Sequence, residues 1–387
     1  MIPIQSPLGY SRGLRTFPQN AGTCSLLCGI LFETHRNIQT GLLIGSVVTF
    51  NILSDGQSIL NQPFSEFEEQ MAQGFEIRTK VFGTSLYCFS PTGYPYKIKD
   101  HKHANKHNFT SLSVTGNACS LHCEHCDGKL LHGMKGVPSP DELLQACQEV
   151  KDRGGEGVLI SGGSDSKGHV PLDRFGEAIR AAKQDMGLQV VVHTGLVTPA
   201  VARMLGESRI DAAMLDIIGS PEVAKSVYHI DSGPERMAES LDLLKEQNIP
   251  IAPHVLVGLD YGTLNGELEA LDMIAQRNPE AVVIIALSPI RGTPMARVSP
   301  PTPEMMGRIM TIARLGMEKT PLLLGCARPM GDHKIKTDEF AVKCGVNGIA
   351  YISQDGVDLA RNLGLAPIFR DVCCSLAPIE LTRINVA

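Results

Sequence analysis

Cys119, Cys123 and Cys126 stand in the run CSLHCEHC, a C-x3-C-x2-C spacing on one short segment. Three thiolates so spaced can grip one corner of an iron–sulfur cubane, binding three irons and leaving the fourth open to an outside ligand. Zinc is the alternative. Its structural sites close with four ligands, usually from two C-x2-C knuckles, and no second knuckle lies nearby. His122 and His125 interleave the cysteines and are read as loop polarity or as hydrogen-bond donors to cluster sulfides rather than as ligands.

The cysteines need a scaffold, and the surrounding sequence supplies one. Short apolar runs alternate with helical stretches from Phe109 onward. The runs are Ser111 to Thr115, Gly157 to Ser161, Leu188 to His193, Ile210 to Ile217, Ile251 to Val257 and Ala281 to Leu287. The helical stretches between and after them include Pro140 to Arg153, Leu172 to Met186, Pro199 to Gly206, Met237 to Gln247, Leu264 to Arg277 and Glu304 to Lys319. Six βα units imply a parallel sheet with helices outside it, and near-continuous apolar strands suit burial on both faces. The fold class expected is α/β, a partial (β/α)6 barrel with N-terminal and C-terminal extensions. The divisions are residues 1–106, the barrel over 107–320, and residues 321–387. Within the N-terminal part, a polar helix is expected near Ser65 to Gly74 and a strand over Thr84 to Ser90, with Lys97 to His107 as a solvated linker.

In a parallel barrel the C-terminal ends of the strands face the active site. His193, Asp216 and His254 are placed at such ends, as satisfied polar residues or as contacts to substrate or cofactor. Gly162, Gly163, Ser164 and Asp165 follow the second strand of the series. The glycines there would let the backbone approach a ligand closely.

Composition narrows the function classes. Of 387 residues, 35 are basic and 41 acidic, and none of the basic ones form a dense run. Trp is absent and aromatics are 5%. A nucleic-acid partner is therefore not expected. The longest apolar run, Gly41 to Leu53, is interrupted by polar residues and falls short of the roughly 20 residues a bilayer requires. No membrane role is expected, and without signal-peptide features the chain reads as cytoplasmic. Eleven cysteines in such a chain point to metal ligation or burial rather than disulfides.

The C-x3-C-x2-C loop after a barrel strand resembles the radical S-adenosylmethionine (SAM) superfamily. The stretches SVTGNACSLHCEHCDGKLLHGM, LISGGSDSKGHVPL, VHTGL, PHVLVGL and LGCARPMG resemble its biotin-synthase-like branch, including the two-component, archaeal-type lipoyl synthases. The likeness runs from about Phe75 to Cys374. It implies a [4Fe–4S] cluster on Cys119, Cys123 and Cys126, with SAM on the open iron. One-electron cleavage of SAM then gives a 5′-deoxyadenosyl radical. It also implies SAM contacts from Gly162, Gly163, Ser164 and Asp165, although Ser164-Asp165 stands where the family has Glu. Gly258 and Gly266-Glu267 resemble a further family stretch that packs near the adenine, and Ser288 to Met295 a third.

For the lipoyl synthases the implied reaction is sulfur insertion into an octanoyl chain on a carrier protein. It takes a second radical SAM subunit, an electron donor and an auxiliary iron–sulfur cluster as sulfur source. Cys326, Cys373 and Cys374 are the candidate auxiliary ligands; Cys24, Cys28 and Cys344 are weaker ones. Cys88 and Cys147 are read as buried thiols, and Arg328 as either a cluster neighbour or an ion-pair residue. The rival reading is another biotin-synthase-like reaction: a mutase, a methylase or a different sulfur insertion.

Overall fold

The structure is a computed structural model that describes residues 50–231 and 233–384. Cys24, Cys28 and most of the Gly41–Leu53 run lie outside the described residues. Eleven strands occur among the described residues: β1 Ser85–Phe89, β2 Phe109–Ser113, β3 Lys135–Gly136, β4 Gly157–Ser161, β5 Gln189–His193, β6 Ala212–Met214, β7 His254–Val257, β8 Val282–Ala286, β9 Leu322–Leu324, β10 Gly348–Ala350 and β11 Ala366–Arg370.

All ladders between them are parallel. One sheet runs β3-β2-β4-β5-β6 and the other β11-β1-β10-β9-β8-β7. Parallel bridges from Ala213 to Ile251 and from Asp216 to His254 join β6 to β7, so the two make one curved wall. At the far ends, Asn108 Nδ2 donates to Asp371 O at 3.0 Å and Arg370 pairs with Glu156 at 2.9 Å, bringing the chain after β11 to the chain before β2 and β4.

The six expected βα units are β2, β4, β5, β6, β7 and β8 with the helices that follow them. The C-terminal extension carries the wall on through β9, β10 and β11, and the N-terminal extension inserts β1 between β10 and β11. Two of these added strands have three residues each. Side chains along each strand alternate between two cores. Val191, Met214, Val283, Leu323, Tyr87 and Phe89 pack inside the wall. Val190, Val192, Ile284, Leu324 and Leu86 pack outward under the helices. This division follows from the two-residue period of a strand buried on both faces.

Local signals explain the helix starts. Ser139 caps Pro140–Asp152 with a complete capping box closed by Glu142. Thr198, Ser220 and Thr302 cap Pro199–Ser208, Pro221–Val227 and Pro303–Gly316, each with Pro just inside the helix. The expected Leu172 to Met186 helix is instead a tight turn, a short α segment over Gly176–Arg180 and a wide final turn over Ala181–Asp185. The polar N-terminal helix is longer than expected, Phe64–Phe82, because its buried face (Phe67, Met71, Gly74, Arg78) continues to pack beyond Gly74.

Several residues settle as structural. His101 and His103 are not in a solvated linker: His101 stacks on Phe369 and reaches Asp371 at 2.8 Å, and His103 meets Ser90 O at 2.9 Å. Cys88, Cys147 and Cys344 are buried. Cys344 packs beneath the Pro303–Gly316 helix, its thiol against Thr311 Oγ1 and Gly307 O, which removes it from the auxiliary ligands. Arg328 is an ion-pair residue, fully buried against Asp338 at 2.8 Å and donating to Gly325 O and Ala350 O. Arg328 thus ties the chain after β9 to the Asp332–Lys343 helix through Asp338 and to β10 through Ala350 O. Breaking a buried pair strands the surviving charge, so Asp338→Ala should lower the unfolding free energy by about 3–5 kcal/mol, measured by urea denaturation.

Candidate radical SAM site

The cysteine loop leaves β2 and is fixed by its neighbours before it reaches the thiols. Val114 N donates to Ser161 O at 2.8 Å, and Gly163 N donates to Thr115 Oγ1 at 2.7 Å. Ser120 N then donates to Ser164 O at 2.8 Å, Glu124 N to Val227 O at 2.9 Å, and Met295 N to Glu124 O at 3.3 Å. Segments following β4, β6 and β8 therefore each hold the loop through backbone atoms. Inside the loop, Cys123 O accepts from Cys126 N and Asp127 N at 3.1 and 2.8 Å. His122 and Asp127 take left-handed backbone conformations (φ 48° and 46°), and their side chains meet at 2.9 Å, which ties the two bends together. His122 thus serves loop geometry.

Gly163 is required by contact. A Cβ there would lie 2.0 Å from Ala118 O and 2.6 Å from Cys119 Cα. Its partner Ser164 gives its carbonyl to the loop, while Asp165 closes its own turn by accepting from Lys167 N and His169 N at 2.8 and 2.9 Å. The Gly-Gly-Ser-Asp stretch, expected as a SAM contact, is placed where it supports the cysteine loop.

Cys123 is buried, and Cys119 and Cys126 are half-buried. Donor atoms of Cys123, His125 and Cys126 lie within 4.8 Å of one another, and Cys119 is close enough to bear on the charge of Cys123. The Cys123 thiol, and after it His125, hold Cys126 down to about 4 against the opposing effect of burial. Cys123, the donor in that contact, is pushed up by it and by burial. A thiolate is the ligating form of cysteine, so the loop is chemically suited to an iron–sulfur cluster.

His125 turns inward and stacks on Tyr228, ring centroids 5.0 Å apart. Tyr228 donates its hydroxyl to Asp216 Oδ2 at 2.9 Å. Sequence reasoning did not single out Tyr228; it follows the Pro221–Val227 helix, and no spacing marks it. Asp216 in turn lies 3.6 Å from His193 Nε2, and the rings of His193 and His254 are 5.7 Å apart. Here His193 closes β5, whereas His254 opens β7 and comes level with Asp216 through their parallel bridge. Burial would raise Asp216, but the neighbouring His193 outweighs it and holds the carboxylate well below its ordinary range. Burial likewise opposes charge on His193, yet Asp216 raises it. Burial and then His193 lower His254 to about 4. His125 Nδ1, His254 Nδ1 and Ser288 Oγ are buried with no protein hydrogen-bond partner, leaving polar atoms to spare for bound groups.

Cys326 follows β9, and Cys373 and Cys374 follow β11. Cys373 is close enough to both Cys326 and His193 for their charges to interact. A hydrogen bond from Cys374, against burial, lowers Cys373 to about 7. Contacts thus run from Cys126 through His125 and Tyr228 to Asp216, with His193 beside it and Cys373 near enough to His193 for their charges to interact.

Glu267, expected near the adenine, is a buried staple. It accepts from Gly258 N at 2.8 Å and Asn265 N at 2.6 Å, beside Gly266 at φ 100°. Burial pushes its carboxyl up to about 7.

A sequence model of the radical SAM superfamily matches residues 113–274. Biotin synthase from Vibrio cholerae is 23% identical over 257 residues, covering 65% of this chain and 72% of that protein. Biotin synthase from Nitrobacter winogradskyi is 25% identical over 301 residues, covering 74% and 85%. In fold, the chain is similar to methylornithine synthase (TM-score 0.55, 16% identity, covering 82% of this chain and 94% of that one). It is also similar to the FeFe-hydrogenase maturase HydG from Carboxydothermus hydrogenoformans (TM-score 0.58, 15% identity, covering 82% and 76%). Residues 113–274 thus match the radical SAM superfamily, and the chain is similar to biotin synthases over 65% or more of its length.

Two outcomes follow. Gly163→Ala should displace the loop and sharply reduce iron retained after anaerobic reconstitution, while circular dichroism stays native; unchanged iron would contradict the packing argument. Glu267 binds its proton more tightly folded than unfolded, where carboxyls titrate near about 4.3. Its contribution is therefore fully present below about pH 4.3 and is lost as pH rises through about 7. Urea midpoints of the wild type should fall across that window by an amount that Glu267→Gln removes.

Proposed function

We propose that this radical SAM enzyme inserts sulfur into a protein-bound octanoyl chain, as a subunit of a lipoyl synthase. What supports it is that Cys326 lies near enough to Cys373 for their charges to interact, Cys374 bonds to Cys373, and Cys373 likewise bears on His193. A sulfur insertion needs a sulfur source near the reacting carbon, and an auxiliary iron–sulfur cluster on these thiols would supply it. A mutase needs none.

When bound, the cubane and SAM supply one-electron chemistry that yields the 5′-deoxyadenosyl radical. The remaining tasks fall to the chain. Cys119, Cys123 and Cys126 hold the cluster by one corner. Gly163, Ser164, Val227 and Met295 fix the loop that carries them. The packed apolar core of Val191, Met214, Val283, Ile285 and Leu323 keeps water from the inside of the wall. Partners on this reading are a second radical SAM subunit, an octanoylated carrier protein and an electron donor. Among the described residues no helix is long and apolar enough to cross a membrane.

The test pairs an assay with an iron count. Reconstituted protein, with a candidate partner subunit, is incubated with an octanoyl-lysine peptide, SAM and dithionite. A sulfur mass increment on the peptide, together with iron beyond one cubane per chain that Cys373→Ala removes, is the expected result. SAM cleavage without a sulfur increment would turn the reading toward another biotin-synthase-like reaction.

A further inference from the structure

Inside the barrel, three strands each contribute one polar donor to a single point. His193 ends β5, Asp216 follows β6 and His254 begins β7, and one donor atom from each lies within 4.8 Å of the others. None of its members is a cysteine of the loop or of the Cys326, Cys373 and Cys374 group, although Cys373 bears on the charge of His193.

The three do not satisfy one another. The 3.6 Å between His193 Nε2 and Asp216 Oδ1 is too long for a hydrogen bond. The two rings are tilted by 60° at 5.7 Å, so they do not stack face to face. His254 Nδ1 is buried with no protein partner. Buried polar groups seldom remain unpaired, so the cluster calls for something between its members. A metal ion suits the gap. With metal–nitrogen and metal–oxygen bonds of about 2.0–2.2 Å, two ligands in a tetrahedral arrangement stand about 3.4 Å apart. The observed separation is close to that, and a small contraction of the set would complete it.

We propose that His193, Asp216 and His254 bind one divalent first-row transition ion. Two imidazoles and a carboxylate favour such an ion over calcium or magnesium, which take all-oxygen sites. Tyr228 positions the carboxylate by donating to Asp216 Oδ2 at 2.9 Å, the kind of outer hydrogen bond that orients metal ligands. Three protein donors leave coordination positions free, which a nitrogen, oxygen or sulfur atom of a substrate can fill.

Zinc serves as the probe because it is redox-silent and distinguishable from cluster iron. Full-length protein with its iron–sulfur content intact is titrated anaerobically with Zn2+, dialysed, and analysed for zinc and iron. Zinc-edge X-ray absorption then reads the ligands. About one retained zinc per chain is expected, with nitrogen and oxygen neighbours at about 2.0–2.1 Å, imidazole scattering and no sulfur. His254→Ala and Asp216→Asn should each lose that zinc while keeping wild-type iron, which shows that the fold and cysteine loop persist. No zinc uptake, zinc undiminished in both variants, or sulfur neighbours at about 2.3 Å would overturn the proposal. Metal uptake is read without turnover, so its result is independent of the sulfur-insertion assay.

Discussion

The close approach of the β4 turn to the cysteine loop is the constraint on which the site depends. Gly163 lies against Ala118 and Cys119 with no room for a side chain, and Ser120 N reaches Ser164 O at 2.8 Å. The loop has a few hydrogen bonds of its own, but they do not anchor it to the barrel. It holds a shape because backbone groups after β4, β6 and β8 bind it from outside. Neighbouring strand ends thus impose the geometry that the cysteine spacing only permits.

The same parallel wall makes distant sequence local. His193, Asp216 and His254 meet because adjacent parallel strands bring the end of one level with the start of another, and Cys326 and Cys373, which follow β9 and β11, come near each other. Burial then sets the electrostatics. Asp216 stays charged because His193 is beside it, whereas His254 loses its proton to burial and to the same neighbour. Cys126 is favoured as a thiolate by Cys123 and His125. The effects on Asp216 and His254 need a partner from another strand, whereas that on Cys126 arises within its own loop.

How much of this could be read from sequence depended on range. The C-x3-C-x2-C loop was legible because its ligands are local, and the βα units because five-residue apolar strands and capped helices leave strong local patterns. Strands β9 and β10, at three residues each, are too short to show a period, and the insertion of β1 beside β11 is a long-range pairing. Asp165 reads like a ligand contact, and its role in closing its own turn left no mark in the sequence. The histidines of residues 97–107 look solvated because their acidic partner, Asp371, lies at the other end of the chain. Arg328 was ambiguous beside Cys326 until Asp338 came into contact with it. Tyr228 had no signal at all, because its role arises from touching His125 and Asp216 together.

The most direct test of the central claim is electron paramagnetic resonance of the anaerobically reconstituted, dithionite-reduced protein, recorded before and after addition of SAM. If Cys119, Cys123 and Cys126 hold a cubane whose fourth iron accepts SAM, the reduced-cluster signal must shift on addition, and that SAM-responsive signal must be lost in Cys123→Ala. A reduced cluster whose spectrum ignores SAM, or a SAM-responsive signal that survives in Cys123→Ala, would contradict the account.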